Sequence, residues 1–233
     1  ATEGAKVGIM GRTEATVNKK VEEIKATSGE AFPLVADVLD RTQLKACKEA
    51  ILQKYGHIDI LVNAAGGNVK GAVINPDQDI FDLNLDDFDK VNHLNFKGTL
   101  LPTLVFAKEM VQQQKGSIIN ISSIASLRAS EGARIYGIAK AGMNFLTRGL
   151  AMDMAPHNVR VNCIAPGAVQ TDMLAADVGD KPENWEQLGT FIPLGRVGQP
   201  IDIAATALFL ASDAANYVTA QIIAVDAGLT EKM

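Results

Sequence analysis

The 233-residue chain is poor in several features, and each shortage closes off a class of function. It has two cysteines, Cys47 and Cys163, too few for a disulfide framework and suited to a reducing, cytoplasmic setting. Its three histidines stand far apart, so no metal-ligand spacing arises and no metal site is expected. A formal net charge of −5 without any long basic block speaks against nucleic acid as a partner. No run of about 20 apolar residues occurs, so no membrane span is expected. G-x-S-x-G and P-loop patterns are absent, and no carboxylate pair has a hydrolytic context. At 47% hydrophobic and 21% charged residues, the composition is that of a folded chain rather than a disordered one.

What is present is an alternation of short apolar runs with helix-length amphipathic runs. Strands are predicted at residues 6–10, 31–36, 58–62, 117–121, 159–164 and 221–225. Helices are predicted at 14–27, 40–55, 85–114, 135–154 and 201–211, the third bent near Gly98 or Pro102. Residues 166–199 read as an irregular excursion holding one short helix. Apolar strands without strict alternation imply a parallel sheet covered on both faces. The expected fold is therefore a single α/β, doubly wound, Rossmann-like domain over 1–233. Such a sheet ordinarily opens with a strand, a G-x-G-x-x-G turn and a helix. Gly4, Gly8 and Gly11 have the wrong spacing for that turn, and Gly8 reads as a strand glycine. The sequence is thus expected to lack a strand-turn-helix unit of roughly 20 to 25 residues.

The chemical signal is YGIAK, Tyr136 to Lys140, two residues stacked on one helical face. A phenol beside an ammonium is expected to have a lowered pKa and to suit proton transfer to a carbonyl oxygen. Alone, such a pair is more often a surface pair. Its context adds weight: Ser123 ends the apolar strand IINISS, where open sheets place ligands, and its hydroxyl can donate to developing charge. DILVNAAG, residues 59–66, runs another strand into a small-residue turn. Pro166 and Gly167 follow a third strand, with Thr171 four residues after Gly167.

These pieces together resemble the short-chain dehydrogenase/reductase family over nearly the whole chain. The matching segments are Asp37-Val38, NAAG at 63–66, LNFKG at 94–98, NISS at 120–123, YGIAK at 136–140, PGAVQT at 166–171 and VDAG at 225–228. The family's glycine-rich turn is not among them. The resemblance implies Tyr136 as general acid in reduction and base in oxidation. It implies Lys140 on the nicotinamide-ribose hydroxyls, Ser123 on the substrate carbonyl, and Asn95 supporting a relay water through its backbone. Asp37 and Val38 would border the adenine, while Asn63, Ala64, Ala65 and Gly66 would form the strand end and line the cofactor cleft. Val169 and Thr171, following Pro166 and Gly167, would contact the nicotinamide.

Arg12 follows the first strand, where an acidic residue would select NAD; a guanidinium there points to NADP, with NAD as the alternative. The long loop at 68–82 and NFKGTLLPT at 95–103 resemble the sugar-acid, mannonate/fructuronate branch of the family. The expected reaction interconverts a secondary alcohol and a ketone on a small sugar or sugar acid, with Arg128 or Arg134 as a candidate cation for its carboxylate. Residues 172–196, with Met173, Leu174, Trp185, Leu188 and Phe191, would cover the substrate. Apolar outward candidates Ala107, Met110, Ala141, Phe145, Leu146 and Met152 suggest a homodimer or homotetramer. Two alternatives stay open: an isomerase or dehydratase using the same cofactor, and a non-catalytic nucleotide-binding or interaction protein.

Overall fold

The computed structural model describes residues 1–74, 78–129 and 134–232. Strand β1 (Lys6–Gly11) and helix α1 (Glu14–Ala26) are followed by β2 (Glu30–Val35), α2 (Arg41–Tyr55) and β3 (Ile60–Asn63). Then come α3 (Leu85–Asn92), α4 (Gly98–Gln113), β4 (Gly116–Ile121), α5 (Arg134–Met154) and β5 (Val159–Pro166). The chain continues through α6 (Asp172–Val178), α7 (Pro182–Gly189), α8 (Pro200–Ala211) and β6 (Ile222–Val225). Local chemistry sets these bounds. Asp40 caps α2 by accepting from Thr42 N at 2.8 Å, and Gly56 closes it in the left-handed region at φ 80°.

All strand pairs are parallel, in two blocks: β1-β2, and β3-β4-β5-β6. In a doubly wound sheet of order 3-2-1-4-5-6, the break between the blocks falls at the central position. Among the described residues no strand pairs with the free edge of β3, and its Ile60 and Val62 are exposed. Gly8 lies mid-strand opposite Phe32, as a strand glycine.

Successive residues of a strand face opposite sides, and here both sides are apolar. Ile118 of β4 packs with Leu44 and Cys47 of α2, Met110 of α4 and Leu150 of α5. Its neighbour Ile119 packs with Ile164 of β5 and Leu210 of α8. The lack of strict alternation read from the sequence is that of a sheet covered on both faces.

The long helix is interrupted next to Gly98, one of the two places expected, by a π turn at His93–Lys97, while Pro102 is accommodated inside α4. Two sequence expectations are corrected. Residues 166–199 hold two short helices, α6 and α7, instead of one. Of the outward candidates, Ala107 and Met110 are buried in the core and Leu146 is half-buried against it; Ala141, Phe145 and Met152 are exposed. The loop at 68–82 carries 3-10 turns at Lys70–Ala72 and Ile80–Asp82; its residues 75–77 lie outside the described residues.

Candidate active site

Parallel pairing puts every strand's C-terminal end on one edge of the sheet. Arg12 follows β1, Ala36 to Val38 follow β2, Ala64 to Gly66 follow β3, Ser123 follows β4, and Gly167 follows β5. Arg12 is exposed and has no side-chain partner among the described residues. Asp37 is turned inward on its own backbone, its Oδ1 accepting from Leu39 N at 2.8 Å. Thr171 caps α6, its Oγ accepting from Leu174 N at 3.4 Å.

Beside Ser123, α5 presents Tyr136 and Lys140 one turn apart. The Ser123 hydroxyl stands near enough to the Tyr136 phenol to draw its pKa down. Lys140 Nζ lies 5.4 Å from the Tyr136 ring centroid and donates to the Ile121 carbonyl at 2.8 Å. An ammonium has three N–H bonds. One goes to Ile121, and the residue is almost wholly buried, so the remaining donors suit a ligand diol at this edge. Gly66 completes the cradle: a Cβ there would stand 2.7 Å from Asn95 Oδ1 and 3.1 Å from Lys140 Nζ. The residues present therefore fit the ribose end of a nicotinamide dinucleotide.

Burial decides the electrostatics. It pushes Tyr136 up to about 12, against the downward pull of the Ser123 hydroxyl. It pulls Lys140 down to about 8, with Cys163 acting in the opposite sense. The lowering of the phenol by Lys140 expected from the sequence does not occur: burial raises the phenol, and the downward pull comes from Ser123.

Asn95 is fully buried in the π turn. Its Oδ1 accepts from Gly67 N at 3.0 Å, and its Nδ2 donates to Gly67 O at 2.7 Å and Val91 O at 2.9 Å. The carboxamide thus pins the turn after β3 next to Lys140, while the backbone carbonyl accepts from Thr99 Oγ at 3.0 Å. A buried polar ladder continues from there. Thr103 Oγ donates to Thr99 O at 2.8 Å, Asn63 Nδ2 donates to Thr103 Oγ and Asn120 Oδ1, both at 2.9 Å, and Asn120 Nδ2 donates to Thr147 Oγ at 2.9 Å. Asn63 is therefore a buried tie between α4, β3 and β4, set apart from the cleft-facing turn that follows it. Sequence reading missed Thr99, Thr103, Asn120 and Thr147. The available signal was Asn95-Thr99-Thr103, spaced by four on one helical face, together with Asn120 inside an apolar strand.

The candidate substrate cations both lie at the surface. Arg128 is exposed and donates to Lys232 O at 2.7 Å, and Arg134 is the exposed first residue of α5. A cavity of about 220 Å³ lies further along the sheet edge, lined in part by Val169, Ile192, Val225 and Asp226, and does not include Ser123 or Tyr136. Among the described residues, no cluster of three or more His, Cys, Asp or Glu could hold a metal, and no helix is long and apolar enough to cross a membrane.

A parallel sheet whose strand ends gather a serine, a tyrosine and a lysine beside a ribose-sized cradle defines a nicotinamide-dependent dehydrogenase or reductase. The chain belongs to the short-chain dehydrogenase/reductase family: the family described as Enoyl-(Acyl carrier protein) reductase matches residues 1–230. It is 37% identical over 230 residues to the 3-oxoacyl-[acyl-carrier-protein] reductase FabG of Thermotoga maritima, covering 98% of this chain and 89% of that one. A 7 alpha-hydroxysteroid dehydrogenase complexed with NADH and 7-oxo glycochenodeoxycholic acid superposes with a TM-score of 0.86 at 35% identity, covering 98% of this chain and 86% of that one. A gluconate 5-dehydrogenase from Burkholderia cenocepacia J2315, in complex with NADP and tartrate, gives 0.87 at 29% identity, covering 99% and 87%. Membership in this family selects oxidoreduction over the non-catalytic reading. The likenesses span several substrate classes and single out no mannonate or fructuronate enzyme.

Proposed function

We propose that the chain interconverts a ketone and its secondary alcohol with NADP(H), acting on a sugar or sugar acid of the mannonate/fructuronate type. The observation that carries this reading is the meeting of the Ser123 hydroxyl, the Tyr136 phenol and the Lys140 ammonium at one strand end. With a carbonyl oxygen between them, Ser123 donates a hydrogen bond and Tyr136 transfers its proton to that oxygen as charge develops. Bound nicotinamide supplies the hydride. Lys140 holds the ribose hydroxyls, and Asn95 keeps the Gly66–Gly67 turn against Lys140. A phenol held protonated by burial favours the reductive direction at neutral pH.

Arg12, free at the end of β1, suits a 2'-phosphate. Gluconate 5-dehydrogenase as a structural neighbour supports the sugar-acid class. Residues 172–196 serve as the substrate cover. Phe145 and Met152 of α5, with Ile201 and Phe209 of α8, form exposed apolar faces that support a homo-oligomer. Both cysteines are free and buried, as suits the cytoplasm. A second reading has its own support: Met173, Phe191 and Leu194 of the cover are exposed and apolar, and the FabG relative reduces, by its name, an acyl-carrier substrate.

The test is a substrate panel with the full chain: keto-sugar acids, 3-oxoacyl thioesters and oxo-steroids, each with NADPH and NADH. NADPH oxidation with a keto-sugar acid is the expected result. Preference for a 3-oxoacyl thioester would establish the second reading, and no oxidation with any carbonyl would overturn both.

A further inference from the structure

We propose that Ser126 and Asn144 are positioning residues that set the Ser123 hydroxyl against Tyr136. This rests on the function proposed above.

Ser123 is not held by its strand. It is the second residue after β4 and opens a 3-10 turn over Ile124–Ser126, and its Oγ accepts from Ala125 N at 3.2 Å. The hydroxyl therefore goes where the turn goes. Two features clamp the turn to α5. Ser126 Oγ donates to the Ser123 carbonyl at 2.5 Å and accepts from Asn144 Nδ2 at 2.8 Å. Gly137 lets the turn approach: a Cβ there would stand 2.6 Å from the Ala125 carbonyl oxygen.

Asn144 is buried and is itself fixed. Its Oδ1 accepts from Cys163 Sγ of β5 at 3.5 Å, which leaves Nδ2 aimed at Ser126. Ser122 Oγ lies 3.2 Å from Ser126 Oγ and 3.3 Å from the Lys140 carbonyl, tying the same turn to the lysine's own backbone. Tyr136, Lys140 and Asn144 are spaced by four on α5, so a single helical stripe carries the proton donor, the ribose holder and the clamp on the serine turn.

A displaced catalytic hydroxyl costs rate more than binding, since misplacement of about 1 Å is worth on the order of a hundredfold. In the full chain, Ser126→Ala and Asn144→Ala should each lower kcat about tenfold to a hundredfold with KM changed less than about threefold. Ser126→Thr, which keeps the hydroxyl, should recover most of the rate. The double variant Ser123→Ala/Ser126→Ala should be no slower than Ser123→Ala alone, because Ser126 acts through Ser123. A readout independent of turnover is the Cζ resonance of isotope-labelled Tyr136 in the cofactor-free protein. Ser126→Ala and Ser123→Ala should move it in the same direction, reporting that the Ser123 hydroxyl has left the phenol. An unmoved resonance in Ser126→Ala would overturn the inference whether or not the function is right. So would rate losses that multiply with that of Ser123→Ala. A moved resonance without carbonyl reduction by the parent chain would leave the positioning intact and reject the function.

Discussion

Replacing Gly66 with alanine probes how tightly the turn after β3 is fitted to the lysine. The new methyl would stand 2.7 Å from Asn95 Oδ1, closer than such contacts are tolerated. Asn95 is a short, fully buried side chain, so it can yield only by giving up its bonds to Gly67 N and Gly67 O, at 3.0 and 2.7 Å. Two such bonds are worth about 1–3 kcal/mol together. The methyl would also stand 3.1 Å from Lys140 Nζ and press the ammonium out of line. We expect an unfolding free energy, from urea titration, lowered by that amount, and kcat/KM reduced about tenfold to a hundredfold with a raised KM for the dinucleotide. Gly149→Ala is the control: a Cβ there meets nothing within 4 Å, and an alanine inside α5 should add about 0.5–1 kcal/mol. Wild-type stability and kcat/KM in Gly66→Ala would refute the packing argument and the role given to this turn.

Three further expectations follow from the same structure. Asn120→Leu removes the acceptor of Asn63 Nδ2 and the donor to Thr147 Oγ, and orphaning these buried groups should cost about 2–5 kcal/mol in denaturant unfolding; a loss below about 0.5 kcal/mol would show the ladder to be dispensable. For Lys140, pulled from 10.5 to about 8, the folded state sheds its proton before the unfolded chain does. Its burial penalty is complete below pH 8 and is relieved as pH rises, so the parent should gain on Lys140→Met between about pH 8 and 10.5, by at most on the order of 3 kcal/mol; parallel stability curves would contradict this. Arg12→Ala should weaken NADPH at least about tenfold more than NADH in binding titrations, and equal losses would remove the guanidinium from the 2'-phosphate.

Much of this arrangement was legible in the residues. Apolar runs such as Gly116–Ile121 and Val159–Pro166 mark strands whatever their neighbours, because a sheet covered on both faces needs them apolar throughout. Tyr136 and Lys140 declare their common face by spacing alone. The place of the break in the long helix showed at Gly98, but its form did not: a π turn whose Asn95 turns in to bond the backbone of Gly67 is a tertiary feature. The polar ladder was equally hidden, since Asn63, Asn120 and Thr147 are separated in sequence and meet only when β3, β4 and α5 pack. The pKa of Tyr136 depended on depth of burial, which no local pattern gives, and its direction was misjudged for that reason.

Single-turnover reduction of an accepted ketone in Tyr136→Phe, which keeps the ring and its packing and removes the hydroxyl that carries the transferable proton, is the most direct test of the proton-donor role. Dinucleotide binding should be unchanged and the hydride-transfer rate lowered by at least about a hundredfold. A variant that reduces the ketone at close to the parent rate would contradict that role.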